Sequence, residues 1–318
     1  MKVLYVTNMY PVEDYIYFGI HVKEQIEAIA TQGDIETEVY FINGREKKWN
    51  YFNSIANIRN KIKNGNYDLI HIHYGLSALF LLFYQPKIPV VVTLHSGELY
   101  KKKGILNHLA QKSITMAALK NTNRIIVLND DMVNLLHKHK QKLVKLPCGI
   151  DLNTFIERNT KQPEQELIVG FPGNKARNEK NFKLFKEIVD ELRKTFNIRI
   201  VEFHDFTRSE VLHHLQTLDV LVMTSLVEGS PQIIKEAMAC NKPIVSTNVG
   251  DLADLLLHVK NCYVINSFES AALLRPIKEI FSLSAEHRKT NGREKLIQMK
   301  LGADQVAKSV IHVYNEVL

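Results

Sequence analysis

Residues 220–246 read VLVMTSLVEGSPQIIKEAMACNKPIVS. The segment opens on an apolar, β-branched run, Val220–Met223, and passes through a loop to Glu228-Gly229-Ser230-Pro231. It then enters a stretch whose apolar residues Ile233, Ile234, Ala237 and Met238 recur at helical spacing, and it closes on a second β-branched run, Ile244–Ser246. Strand, loop, helix and strand in that order form a βαβ unit, which puts the two strands in parallel.

The same alternation runs outward in both directions. Towards the N-terminus, Leu167–Phe171 and Ile198–Phe203 read as strands, with helices near Lys180–Thr195 and Arg208–Thr217, and the helix of the opening segment itself spans Pro231–Ala239. Towards the C-terminus come a strand at Tyr263–Ile265 and a helix over Ser267–Phe281. A polar stretch with Pro163, Arg158–Glu166, interrupts the pattern, and before it lies an earlier series. Its strands are Lys2–Thr7, Thr37–Ile42, Leu69–His73, Val90–Leu94, Ile125–Leu128 and Leu143–Leu146. Its helices are Gly19–Thr31, Asn53–Lys63, Leu76–Phe83, Leu106–Leu119 and Asp131–His137. The expected fold is α/β, with two doubly wound domains over residues 1–160 and 161–302 and a linker near residue 160. In such sheets ligands bind beyond the carboxyl ends of strands, so the loops leaving strands hold the candidate site.

Composition narrows the class. The 318 residues are 45% hydrophobic and 24% charged, an ordinary globular balance that argues against disorder. No apolar run reaches the roughly 18 residues of a membrane span, and Leu76–Tyr84 is about half that. The opening residues do not read as a signal peptide. Three cysteines, Cys148, Cys240 and Cys262, lack C-x-x-C spacing, so neither a disulfide framework nor a structural zinc site is expected, and the expected location is cytoplasmic. The charge is uneven. Glu98–Lys145 holds ten Lys or Arg against three acids, a surplus as large as the +7 of the whole chain. Such a region suggests an anionic partner, or else a solvated helix face. With Tyr100 as its one aromatic it does not suit nucleic acid.

Chemistry concentrates where the helix of the opening segment begins. Gly229 allows a sharp turn. The order Ser230, Pro231 predicts Ser230 as N-cap and Pro231 as the first helical residue. The N–H groups of that turn, with the helix dipole behind them, suit a phosphate. Glu228 precedes the helix and Glu236 lies in its second turn. A carboxylate accepts from two neighbouring hydroxyls, so Glu236 suits a ribose diol and Glu228 a hexose diol, with a diphosphate between them. A glutamate pair on an ordinary amphipathic helix is the other reading, and the residues alone leave both open.

Glu-x7-Glu within residues 228–251, EGSPQIIKEAMACNKPIVSTNVGD, closely resembles the signature of the GT-B glycosyltransferases of family 4. Residues 171–181, FPGNKARNEKN, resemble the family's strand, glycine turn and basic loop. Residues 147–155, PCGIDLNTF, are similar to its interdomain crossover, and DLIHIH (68–73) and VTLHSG (92–97) to its N-domain strands ending in histidine. The resemblance implies two Rossmann-like domains facing across a cleft, with the helix Ala303–Val317 (303–318 overall) crossing back to the N-terminal domain. It implies hinges near residues 160 and 300, and an enzyme that moves a hexose from a nucleotide sugar with retention, without metal or other cofactor.

The family's residue roles carry over position by position. His95, Glu228 and Lys180 are the catalytic candidates, with His95 beside the reacting sugar. Gly19, Gly173, Lys175, Arg177, Lys180, Glu228, Gly229, Ser230, Pro231, Gln232 and Glu236 are the donor-binding candidates. Lys175 stands where the family usually has Arg, and Lys gives a point contact where Arg clamps, so Lys175 and Arg177 are both candidates for the second diphosphate cation. No Asp-x-Asp occurs, and His71-x-His73 fits core or cleft-lining histidines better than metal ligands. The acceptor half of the fold contains the basic region Lys101–Lys145. With the apolar residues of Gly104–Leu119 it suits an anionic membrane on the cytoplasmic face and a glycan or lipid-linked acceptor. The expected role is surface polysaccharide or glycolipid synthesis. The alternatives are an epimerase or phosphorylase of the same fold, or a catalytically silent nucleotide-sugar-binding partner.

Overall fold

The computed structural model describes residues 1–100, 105–158 and 166–318. They separate into two compact units, residues 1–149 with 303–318, and residues 150–302. The expected linker near residue 160 lies outside the described residues, and the units divide between Gly149 and Ile150.

The first unit runs β1 (Lys2–Thr7), α1 (Ile20–Ala30), β2 (Glu36–Phe41), α2 (Asn50–Asn64), β3 (Leu69–His73) and β4 (Val90–Thr93). It continues with α3 (Ile105–Ala118), β5 (Arg124–Val127), α4 (Asp130–Leu135) and β6 (Leu143–Lys145). The second runs β7 (Leu167–Phe171), α5 (Phe182–Leu192), β8 (Ile198–Glu202), α6 (Arg208–Thr217), β9 (Val220–Met223) and α7 (Gln232–Ala239). After these come β10 (Ile244–Thr247), α8 (Leu252–Leu255), β11 (Cys262–Ile265), α9 (Ser270–Ser282) and α10 (Gly292–Gln298). The last helix, α11 (Ala303–Asn315), returns to the first unit.

Both sheets are parallel throughout, in the orders β2-β1-β3-β4-β5-β6 and β11-β10-β9-β7-β8. Their central strands are buried end to end, as Val90–Thr93 and Val220–Met223 show. That is why those strands read as unbroken apolar runs with no alternation. Each sheet reverses its order once, between β1 and β3 in the first unit and between β7 and β9 in the second.

Among the elements that differ from expectation are two helices. The stretch around Leu76–Phe83 is a 3-10 run, Gly75–Leu82, entered through Tyr74 at φ 69°. It is buried on nearly every side, so no solvent face existed for a period to register. The helix expected from Lys180 starts at Phe182, because Asn181 takes a left-handed conformation (φ 49°) and Lys180 closes a preceding 3-10 turn, Asn178–Lys180.

α11 buries Val306, Ala307, Val310, Val313 and Tyr314. The Tyr314 hydroxyl lies 3.0 Å from the Tyr5 hydroxyl of β1 and 2.6 Å from Nδ1 of His71 in β3. His71 Nε2 is in turn 2.8 Å from the Thr93 hydroxyl of β4. A buried polar chain thus ties three strands to the last helix. Tyr314→Phe leaves Tyr5 and His71 each one partner short, and an unmatched buried polar group costs about 1–3 kcal/mol. Denaturant unfolding should show a loss of that order.

Burial holds the imidazole of His71 neutral and pushes its pKa down to about 3. The unfolded chain takes up that proton near pH 6.5, so below that pH the unfolded state binds more protons and stability falls as pH falls. At pH 5 the His71 contribution amounts to about 2 kcal/mol lost. Unfolding free energies at pH 7 and pH 5 should therefore differ by about 2 kcal/mol less in His71→Gln than in the native protein.

Candidate functional site

In the second unit the chain leaves β7 for β8 on one side and returns to β9 on the other. The loops after β7 and β9 therefore diverge at the carboxyl ends of adjacent strands, opening a crevice at the point where strand order reverses. The first loop contains Gly173, Lys175, Arg177 and Lys180, and the second contains Glu228, Gly229, Ser230 and Pro231.

Lys180 and Glu228 meet across this crevice, with Nζ 2.7 Å from Oε1. The Ser225 hydroxyl donates to the same carboxylate oxygen at 2.8 Å. Behind the pair the Thr224 hydroxyl donates to the carbonyls of Lys180 and Asn181, and Leu226 N–H donates to the Glu179 carbonyl. Lys180 is buried, and such an ammonium needs close charged or carbonyl neighbours to offset its lost hydration. Gly173 makes room for it. Its φ is 120°, and a Cβ there would stand 2.9 Å from Lys180 Cε.

Lys175 and Arg177 do not join that pair. Lys175 Nζ is 3.4 Å from Glu202, and Arg177 forms two hydrogen bonds with Glu179, at 2.8 and 3.0 Å. Both carry their charge on the exposed side of the loop.

α7 begins one residue later than expected. Pro231 keeps an extended backbone (ψ 121°) and occupies the N-cap position, so Gln232 is the first helical residue and Ser230 caps nothing. Ser230 instead is among the groups acting on the buried carboxyl of Asp251, whose pKa burial raises while Lys235 and the Ser230 hydroxyl oppose the rise. Gly229 and Pro231 are buried, and Ser230 and Gln232 are half-buried at the mouth of the helix.

Glu236 sits a turn and more into α7 and is 3% exposed. Its carboxylate accepts from Arg208 Nη1 at 2.9 Å, and the Arg208 guanidinium lies over the Phe155 ring, 4.7 Å from its centroid. Sequence reasoning missed Arg208. The available signal was Thr207-x-x-Glu210, a capping box that marks the start of α6 and puts Arg208 at its first position.

In the first unit Gly19 caps α1 at φ 71°, where a Cβ would fall 2.3 Å from the Met9 carbonyl. No other residue fits there. His95 follows β4 and is half-buried. Its Nε2 is 3.0 Å from His73 Nδ1, and its backbone N–H donates to the buried carboxylate of Glu98 at 3.1 Å. The same carboxylate accepts from Gly75 N–H at 3.2 Å. Tyr74 stacks on His95 with centroids 4.3 Å apart, and His21 of α1 meets it edge-on at 4.9 Å while contacting the Tyr74 hydroxyl at 2.9 Å. His73, His21, Tyr74 and Glu98 were not among the expected site residues. Of these the sequence singled out only His73, as a core or cleft-lining histidine.

Of the basic region, Lys101–Lys103 lie outside the described residues. Among the rest, Lys145 pairs with Asp130, Arg124 with Glu316, and Lys142 Nζ donates to the Lys120 carbonyl. Among the described residues no helix is long and apolar enough to cross a membrane, and no cluster of His, Cys, Asp and Glu has the form of a metal site.

Comparison with known proteins covers the same ground. The family model Glycosyltransferase Family 4 matches residues 21–154, and Glycosyl transferases group 1 matches residues 153–295. An uncharacterized glycosyltransferase of Methanocaldococcus jannaschii is 24% identical over 279 residues, 81% of this chain and 78% of that protein. UDP-Gal:alpha-D-GlcNAc-diphosphoundecaprenol alpha-1,3-galactosyltransferase of Escherichia coli is 23% identical over 68% of this chain and 65% of its own length. Among solved structures, sucrose-phosphate synthase from Thermosynechococcus elongatus superposes with a TM-score of 0.82 at 16% identity, covering 99% of this chain and 98% of that one. With two parallel doubly wound sheets and consecutive family models along nearly its whole length, the chain belongs to the GT-B glycosyltransferases of family 4 type.

Proposed function

We propose that this glycosyltransferase moves a hexose from a nucleotide sugar to a glycan or lipid-linked acceptor with retention at the anomeric carbon. The observation that carries the reading is the Lys180–Glu228 ion pair at the strand-order reversal of the second unit, beside the start of α7. A donor diphosphate brings two negative charges to that spot. Lys180 then exchanges Glu228 for phosphate oxygens, and the first-turn N–H groups of α7 take the remaining charge. Glu228, released from the ammonium, is free to accept from hydroxyls of the hexose.

Glu236, held by Arg208, takes the ribose diol. A carboxylate buried this deeply keeps one orientation, so its lone pairs are already arranged when the ribose arrives. As the bond from the anomeric carbon to phosphate breaks, charge grows on the leaving diphosphate, where Lys180 and the helix end are already aimed. His95 concerns the first unit, and its role beside the transferred sugar rests on the family resemblance. We propose UDP as the carrier, supported by the donor in the name of the Escherichia coli relative, whose lipid diphosphate acceptor also supports a lipid-linked acceptor here. We propose also that no divalent cation takes part, the charge being met by Lys180 and α7.

Thermal unfolding with UDP, GDP, ADP and their common sugar conjugates tests this directly. A ligand at about 100 times its Kd adds roughly 2.7 kcal/mol. UDP and one UDP-sugar should raise the melting temperature in native protein. Lys180→Ala and Glu236→Ala should each abolish that ligand-induced rise, judged against the variant's own melting point. Arg208→Ala, which frees Glu236 to turn away, should weaken binding about tenfold, or roughly 1.4 kcal/mol. A rise unaffected by Lys180→Ala would overturn the reading. Transfer measured with EDTA present should match transfer without it, and a loss would restore a metal to the mechanism.

A further inference from the structure

His73 is wholly buried, and burial together with the imidazoles of His71, His95 and His21 holds its pKa well below the usual histidine value. It is therefore neutral and carries one N–H, on either Nδ1 or Nε2. Nδ1 lies 3.0 Å from Nε2 of His95, while Nε2 has no hydrogen-bond partner among the described residues. A proton on Nε2 would bury a donor with nothing to receive it. A proton on Nδ1 leaves only an unused lone pair at Nε2 and points a donor at His95. Of the two, the stranded N–H is the rarer and costlier state.

We infer that His73 is a positioning residue, donating its Nδ1–H to Nε2 of His95 and so fixing His95 as the tautomer that carries its proton on Nδ1. The rest of the surroundings hold the ring in place for this bond. Glu98 anchors the His95 backbone, Tyr74 covers one face of the ring, and His21 meets it edge-on. On the other side His71 stacks on His73 at 4.4 Å, and its own two nitrogens are engaged by Tyr314 and Thr93. The hydrogen that His95 offers is thus chosen by a buried neighbour, not by solvent. The inference rests on the proposed place of His95 beside the transferred sugar, where a neutral ring with Nδ1–H gives a hydrogen bond to a hydroxyl oxygen.

The test is imidazole 15N NMR of the full chain at neutral pH, with the His95 signals identified by their loss in His95→Gln. Native protein should show a protonated Nδ1 and an unprotonated Nε2 at His95. His73→Asn, whose side-chain amide places an N–H where Nδ1–H stood, should keep that pattern. His73→Leu, which offers no donor, should shift His95 towards the Nε2–H form. A protonated His95 Nε2 in native protein overturns the inference, as does an unchanged His95 spectrum in folded His73→Leu. Should His73→Leu not fold, the native and His73→Asn spectra decide the matter. The signature is read without substrate, so its failure is separable from that of the proposed function, which would show as undiminished transfer by His95→Ala.

Discussion

The second unit is organised around one charge pair at the place where its sheet changes direction. Parallel strands that run outward both ways leave two loops diverging from adjacent strand ends, with nothing in the ladder to hold them together. Lys180 and Glu228 close that gap, with Ser225 holding the Glu228 carboxylate and Thr224 reaching across to the Lys180 and Asn181 carbonyls. The arrangement is costly in hydration for a lysine this buried, and a carboxylate is its natural partner. Glycine at 173 is the backbone consequence of putting a long side chain into so small a space.

The first unit reverses its strand order in the same way, and its polar groups gather at the corresponding place. There the material is aromatic instead of ionic. His21, His73, Tyr74 and His95 come from three different segments and contact one another ring to ring. A shared strand order thus places functional groups in equivalent positions while the chemistry of each unit differs.

Much of this was legible in the chain itself. The parallel strands announced themselves through unbroken apolar runs, and the resemblance of residues 228–251 to the family signature singled out Glu228 and Glu236. Partners were harder to see. Lys180 and Glu228 are 48 residues apart, Arg208 and Glu236 are 28 apart, and His73 and His95 are 22 apart. Each such contact is set by how strands and helices pack together, which periodicity does not encode. The Ser230 cap failed for a different reason. Proline fixes φ but leaves ψ to its surroundings, and an extended Pro231 moved the helix start by one residue.

The return of α11 to the first unit has a bearing on how the protein is made. The Tyr5–Tyr314 contact joins residues 309 positions apart, and the segment between them contains an entire second unit. As the polypeptide emerges during synthesis, residues 150–302 have all their own core partners before Tyr314 exists. The earlier-made sheet, although first in the chain, waits with His71 and Tyr5 unmatched until the final helix docks. The first unit therefore cannot complete its buried polar chain until synthesis has passed through the whole of the second unit and reached residue 314.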